Sequence, residues 1–180
     1  KPQVVFRETI TRPAEGEARF QRELEDSQIY GHARVRVAPK ARGAGKVFRT
    51  EVPTEPPVPQ EIIEAALEGA REAASSGPAG GYPLEDVEVV VVGVDHRDGA
   101  STVIGHKIAG SEALRHALRD GGPTLLEPIM QVEVIVPEEF MGEVLGDLNA
   151  RHGQIENVGF RGTNRVIDAK VALQRMFGYS

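Results

Sequence analysis

The sequence predicts an α+β protein of two domains. Strand-period and helix-period segments are interleaved along the chain, and Gly121-Gly122-Pro123 interrupts that pattern as a linker would. Beyond the interruption, strand, helix, strand and strand follow in the order of a ferredoxin-like split β-α-β unit. With 40% apolar and 27% charged residues in 180, the chain has the make-up of a globular protein able to bury a core in each part.

Val4 to Thr11 reads as the first strand. In Tyr30 to Ala38, Val35 and Val37 alternate with Arg34 and Arg36, which places both arginines on one strand face. Pro39 to Lys46 is rich in turn residues and leads into Val47 to Val52, so a hairpin with a basic end is expected. Four prolines between Pro53 and Pro59 end that strand with a stiff connector. Ile62, Ile63, Ala66, Leu67, Ala70 and Ala74 then recur at helical spacing across Gln60 to Ser75. Gly77 to Pro83 breaks the helix, and the β-branched run Val87 to Val94 forms a buried strand. Asp95 to Thr102 is a polar loop, followed by a helix from Ile104 to Arg119.

In the second part, Ile129 to Val136 alternates as a strand. Pro137 is expected to open a helix whose apolar stripe is Phe140, Val144, Leu145 and Leu148 and whose C-terminal cap is Gly153. Gln154 to Phe160 and Arg165 to Leu173 then pair across a turn at Arg161 to Asn164. Gln174 to Ser180 supplies only the start of a second helix, so the ferredoxin-like unit reads as truncated.

The net charge of −6 hides an asymmetry. Residues 1 to 50 carry 11 basic against 6 acidic side chains, and His32 to Arg49 contains six cations and no Asp or Glu. Such a segment suits a polyanion, nucleic-acid phosphate above all; the alternative is a solvated hairpin whose charge only keeps it in solution. Cysteine is absent, which excludes disulfides and thiolate chemistry and agrees with a reducing compartment. No apolar run has the length of a membrane span, and Lys1 to Glu8 lack an export signal, so a cytoplasmic protein with no membrane partner is expected.

Catalytic motifs are missing. Gly43-Ala44-Gly45-Lys46 fails as a phosphate-binding loop, because Lys40 stands where the first glycine belongs and Val47 where a magnesium-binding hydroxyl belongs. The five histidines have no paired helical spacing for a metal, and Glu138-Glu139 suits a helix dipole rather than acid-base chemistry. The chain is therefore expected to be no enzyme, with no catalytic residue, cofactor or metal of its own.

Several segments, in order, carry a family resemblance: Phe6 to Ile10, Tyr30-Gly31-His32, Ser76-Gly77-Pro78, Lys107 to Ser111, Leu126 to Met130, Pro137 to Gly142, Gly146 to Ile155 and Met176 to Tyr179. Together they resemble the C-terminal half of bacterial elongation factor G, a translational GTPase. The resemblance implies that residues 1–123 are a ribosomal-protein-like β-α-β domain, the family's fourth, whose tip enters the decoding centre. It implies that 124–180 are part of the fifth domain, near large-subunit RNA. The implied partners are ribosomal RNA, transfer RNA and messenger RNA, together with N-terminal GTPase domains that hold GTP and magnesium.

The ribosome-facing residues so implied, joined to the basic segment, are Gln28, Tyr30, His32, Arg34, Arg36, Arg42, Lys46, His96, Arg97, Ser101, Thr102, Arg151 and His152. Two departures stand out. Leu24 to Ile29 brings Glu25 and Asp26 where the family has tip glycines, and the family's tip histidine falls on Arg97, one place from His96. These departures leave open a ribosome-recycling or ribosomal-protection paralogue. A stand-alone RNA-binding module is a further alternative.

Overall fold

The computed structural model describes residues 5–176. Val4 and Phe177 to Ser180 lie outside them; of the helix start expected over Gln174 to Ser180, the described part is a 3₁₀ turn at Leu173–Arg175. The chain divides into two units, Arg7–Leu126 and a second built on residues from Glu127.

The first unit rests on a four-stranded sheet of order β2-β3-β5-β4, with β2 Ala14–Glu23, β3 Gln28–Pro39, β4 Val47–Thr50 and β5 Val87–Gly93. Helices α1 (Gln60–Ala73) and α2 (Val103–Asp120) pack with it. Val35, Val37, Val89 and Val91 meet Ala66, Ala70, Leu114 and Leu118 in one core, all of them buried. Small residues allow α2 to lie directly on the sheet. A Cβ on Gly31 would stand 1.9 Å from the Gly105 carbonyl carbon, and one on Gly16 2.2 Å from the Ala113 oxygen. A short strand, β1 (Arg7–Thr9), pairs outside this sheet with β6 (Thr124–Leu126), so the first unit includes the residues just past Gly121-Gly122-Pro123. Glu8 is buried there, its carboxylate accepting the backbone N–H groups of Ala79, Gly80 and Tyr82 at 2.7–2.8 Å.

The expected hairpin between Tyr30–Ala38 and Val47–Val52 does not form. β4 runs parallel to β5, and β3 has β2 on one side and β5 on the other. The physical reason is burial: Val87, Val89, Val90 and Val91 are all at most 1% exposed, which demands an interior place in the sheet and displaces β4 to the edge. Residues 40–46 carry the chain past β5 and are held by Asp86, whose carbonyl accepts Lys40 N–H at 2.8 Å and whose carboxylate accepts Gly45 N–H at 2.9 Å.

The second unit is a three-stranded antiparallel sheet of order β7-β9-β8, formed by Ile129–Pro137, Asn164–Ala172 and Gln154–Arg161. Helix α3 (Met141–Ala150) lays Leu148 on Ile167, Ala169 and Val171. Two expectations need correction. Pro137 ends β7, Glu138–Phe140 form a 3₁₀ turn, and Phe140 is 47% exposed, its place on the core taken by Met141. The left-handed residue after α3 is His152, at φ 56°, while Gly153 donates to the Leu148 carbonyl at 2.8 Å.

Candidate nucleic-acid interface

Two loops meet at one end of the first unit. The β2–β3 turn is closed by Leu24 N–H donating to the Ser27 carbonyl at 2.8 Å. Beside it lies the β5–α2 connection, and Gly99 lines one depression with Glu23, Leu24, Asp26, Ser27 and Gln28. Gln28, Glu25, Asp26, Arg97 and Asp98 are exposed on this tip.

Beneath the tip, a polar cluster anchors the second loop. The Tyr30 hydroxyl donates to Asp95 and accepts from Arg19, while Arg19 also reaches Asp95 at 2.9 Å. Arg97 pairs with Asp95 at 3.2 Å and covers the Tyr30 ring at 4.3 Å. Burial and then the bond to Asp95 push the Tyr30 phenol up to about 12, and the bonds from Tyr30 and Arg19 hold the Asp95 carboxyl down to about 2. His32 is also buried; its Nδ1 accepts Asp95 N–H at 2.9 Å and its Nε2 faces Glu17 at 2.5 Å. Thr102 caps α2 by accepting Gly105 N–H at 3.0 Å, and its own N–H donates to the Tyr30 carbonyl at 3.0 Å. Ser101 Oγ accepts Arg97 N–H at 2.9 Å and stands 3.0 Å from Nε2 of His106.

The geometry therefore sorts the thirteen residues named from sequence. Gln28 and Arg97 are presented at the tip. Tyr30, His32, Ser101 and Thr102 lie under it, engaged in internal bonds. His96, named among the ribosome-facing residues, has only 18% of its side chain exposed: Nε2 turns to Asp98 at 3.0 Å, and Nδ1 is buried with no hydrogen-bond partner. Arg42 and Lys46 lie beyond the other end of β3, which at strand rise is about 35 Å from Gln28. Arg151 and His152 belong to the second unit, where Arg151 holds Asp147 at 3.0 Å and His152 is exposed.

The basic segment is also less basic in space than in sequence. Arg34 pairs with Glu15 at 2.9 Å, Arg36 with Glu51 at 3.0 Å, Arg42 with Asp86 at 3.7 Å, and Arg49 with Glu51 and Glu88. Among the described residues Lys40 and Lys46 have no ion-pair partner. Sequence reading missed Arg19, Glu17 and His106. The first two became legible only once β2 was known to lie beside β3, whereas His106 lies within a helix that was read but carried no motif.

Chemically, the tip offers guanidinium and amide donors on a braced loop and is suited to binding rather than bond-making. Among the described residues, no group of three His, Asp or Glu side chains is placed to hold a metal and no helix is long and apolar enough to cross a membrane.

Comparison with known proteins bears on both units. Residues 2–122 match the family model for elongation factor G, domain IV, and residues 124–180 the model for the elongation factor G C-terminus. Elongation factor G 2 of Syntrophus aciditrophicus (strain SB) is 43% identical over all 180 residues, which span 26% of that protein. A crystal structure from Thermus thermophilus superposes with a TM-score of 0.87 at 31% identity, covering 99% of this chain and 26% of that one. The chain thus spans about a quarter of the length of these relatives.

Proposed function

This chain belongs to the elongation factor G family, and on that premise we propose that it is the ribosome-contacting part of a translational GTPase acting in the cytoplasm. The first unit enters the decoding centre by its tip and supports GTP-dependent movement of transfer RNA and messenger RNA. The second unit faces large-subunit RNA through Arg151 and His152. GTP and magnesium belong to N-terminal GTPase domains outside these 180 residues, so this part contributes contact and mechanics rather than hydrolysis.

The observation that carries the reading is the braced second tip loop. Asp95 is bonded to Tyr30, Arg19, Arg97 and His32, so Arg97 is offered from a fixed base beside exposed Gln28. Preorganised donors lose little freedom on meeting a phosphate or base edge. The test is Arg97→Ala in a full-length factor carrying this chain, with messenger movement and ribosome-stimulated GTP hydrolysis measured together. Movement should slow at least tenfold while hydrolysis stays within about twofold, because the tip and the nucleotide site are separate. Parental movement would sink the translocation reading.

One observation favours a second reading. Glu25 and Asp26 give the first tip loop a negative charge where RNA would be approached, which suits a paralogue specialised in ribosome recycling or protection. In that case Arg97→Ala would spare movement and impair subunit splitting or drug release.

A further inference from the structure

Strand β5 leaves β3 early. Its last pairing is Gly93 with Arg34, and the chain next meets β3 only at the isolated bridge between Ser101 and Tyr30. The intervening backbone of His32 therefore has no strand on that side, although the residue is buried and its N–H and C=O need partners. One imidazole stands in the gap and serves one of these two groups in each tautomer. Nδ1 of His106, from the first turns of α2, lies 3.2 Å from the His32 nitrogen and 3.0 Å from the His32 oxygen. Nε2 of the same ring lies 3.0 Å from Ser101 Oγ, and that oxygen accepts the Arg97 N–H.

We propose that His106 is a positioning residue for the tip: acting through Ser101, it fixes the backbone at Arg97 and thereby where the Arg97 guanidinium is offered. His106 is completely buried and makes no contact with solvent or with any RNA that the tip could meet. Burial also lowers its proton affinity, so the ring is neutral near pH 7 and carries one donor and one acceptor. Either tautomer closes the chain of bonds. With Nδ1 accepting His32 N–H, Nε2–H donates to Ser101 Oγ; with Nδ1–H donating to the His32 carbonyl, Nε2 accepts the Ser101 hydroxyl proton. In both, a lone pair of Ser101 Oγ remains for Arg97 N–H. The Asp95 cluster holds one end of the loop and the His106–Ser101 pair holds the other, with the exposed tip of residues 97–99 between them.

The value of this positioning to ribosome work rests on the function proposed above, so the test is made on the 180-residue chain without ribosomes. Amide hydrogen exchange at Arg97 is followed by NMR in the parent, Ser101→Ala, His106→Phe and the double variant. Phenylalanine retains a ring and removes both nitrogens. Each single variant should speed Arg97 exchange at least tenfold, with the double variant no faster than the quicker single one, because both cut the same chain. Exchange within twofold of the parent in either variant, or effects that multiply, would overturn the proposal. If His106→Phe fails to fold, Ser101→Ala decides together with the imidazole nitrogen spectrum. The His106 Nε2 resonance must then shift on loss of the serine hydroxyl, and an unmoved resonance rejects the role. Unchanged exchange combined with a large effect of Arg97→Ala on ribosomes would reject His106 alone and leave the proposed function standing.

Discussion

The Tyr30 hydroxyl donates to the Asp95 carboxylate across 65 residues of sequence, joining the central strand β3 to the loop that carries Arg97. Tyr30 alternates along β3 with Gly31, whose backbone meets α2, and its ring stands edge-on to His106 at 6.0 Å. Arg19, Asp95 and Arg97 cover it, and none of its surface remains accessible. A buried phenol needs a partner, and the carboxylate that supplies one is itself held by two guanidinium groups.

That pair makes stability depend on pH at both ends of the scale. The Asp95 carboxyl is depressed from 3.8 to about 2, so its contribution is complete above pH 4 and is lost as pH falls toward 2. The Tyr30 phenol is raised from 10 to about 12, so its contribution is complete below pH 10 and is lost as pH rises toward 12. Denaturant unfolding should show the stability gap between the parent and Asp95→Asn narrowing by about 1 kcal/mol from pH 4 to pH 2, an allowance for screening at an exposed carboxylate. Tyr30→Phe should remove the alkaline limb. A gap independent of pH would mean that the pair is not coupled to folding.

Gly31 and Gly105 allow the sheet and α2 to touch backbone to backbone. A Cβ at Gly105 would lie 2.3 Å from the Tyr30 oxygen, closer than any side-chain adjustment can relieve. Gly31→Ala and Gly105→Ala should each destabilise the first unit by about 3 kcal/mol or more, since the helix must move off the strand. Thermal unfolding reads this directly, and a loss under about 1 kcal/mol would mean that the close approach is dispensable.

His152 holds a left-handed conformation that glycine adopts without strain. His152→Gly should stabilise the second unit by about 0.5–1 kcal/mol, in spite of the greater freedom of glycine in the unfolded chain. Urea unfolding followed by a probe in residues 129–172 would register a higher midpoint. A lower one would show that the imidazole contributes more than its backbone costs.

Both helices of the first unit, the valine strand β5 and the whole order of the second unit were legible because their segments are apolar at a regular spacing or bounded by turn residues, with Ile, Leu or Val among the repeating positions. β2 was not. Its inward positions Ala14, Gly16 and Ala18 are small where α2 comes close, and a run of Ala and Gly alternating with charge has no β-branched signal. Without β2, the acids Glu15 and Glu17 had no visible place beside Arg34 and His32, so the basic segment read as unopposed. The same omission made β4 the natural partner of β3. His106 was hidden for a different reason: its task depends on where β5 ends, which the valine run alone does not disclose.

Neutralisation of the arginine stripe yields the most direct test of how the first unit meets RNA. Arg34 with Glu15 and Arg36 with Glu51 are pairs with both partners about half exposed, so each contributes little to folding and either can be altered without unfolding the sheet. A phosphate must compete with the resident carboxylate for each guanidinium, whereas Lys46 faces no such rival among the described residues. In titrations of an RNA oligonucleotide across ionic strength, Arg34→Gln with Arg36→Gln should change the salt slope by less than about 1, and Lys46→Gln alone should reduce it by about 1. Removing the rivals, Glu15→Gln with Glu51→Gln, should tighten binding and steepen the slope by up to about 2, as the released arginines take phosphates. If the arginine double variant instead loses about two units of slope while the glutamate variant is silent, the ion pairs open freely on contact, and the stripe is a phosphate site after all.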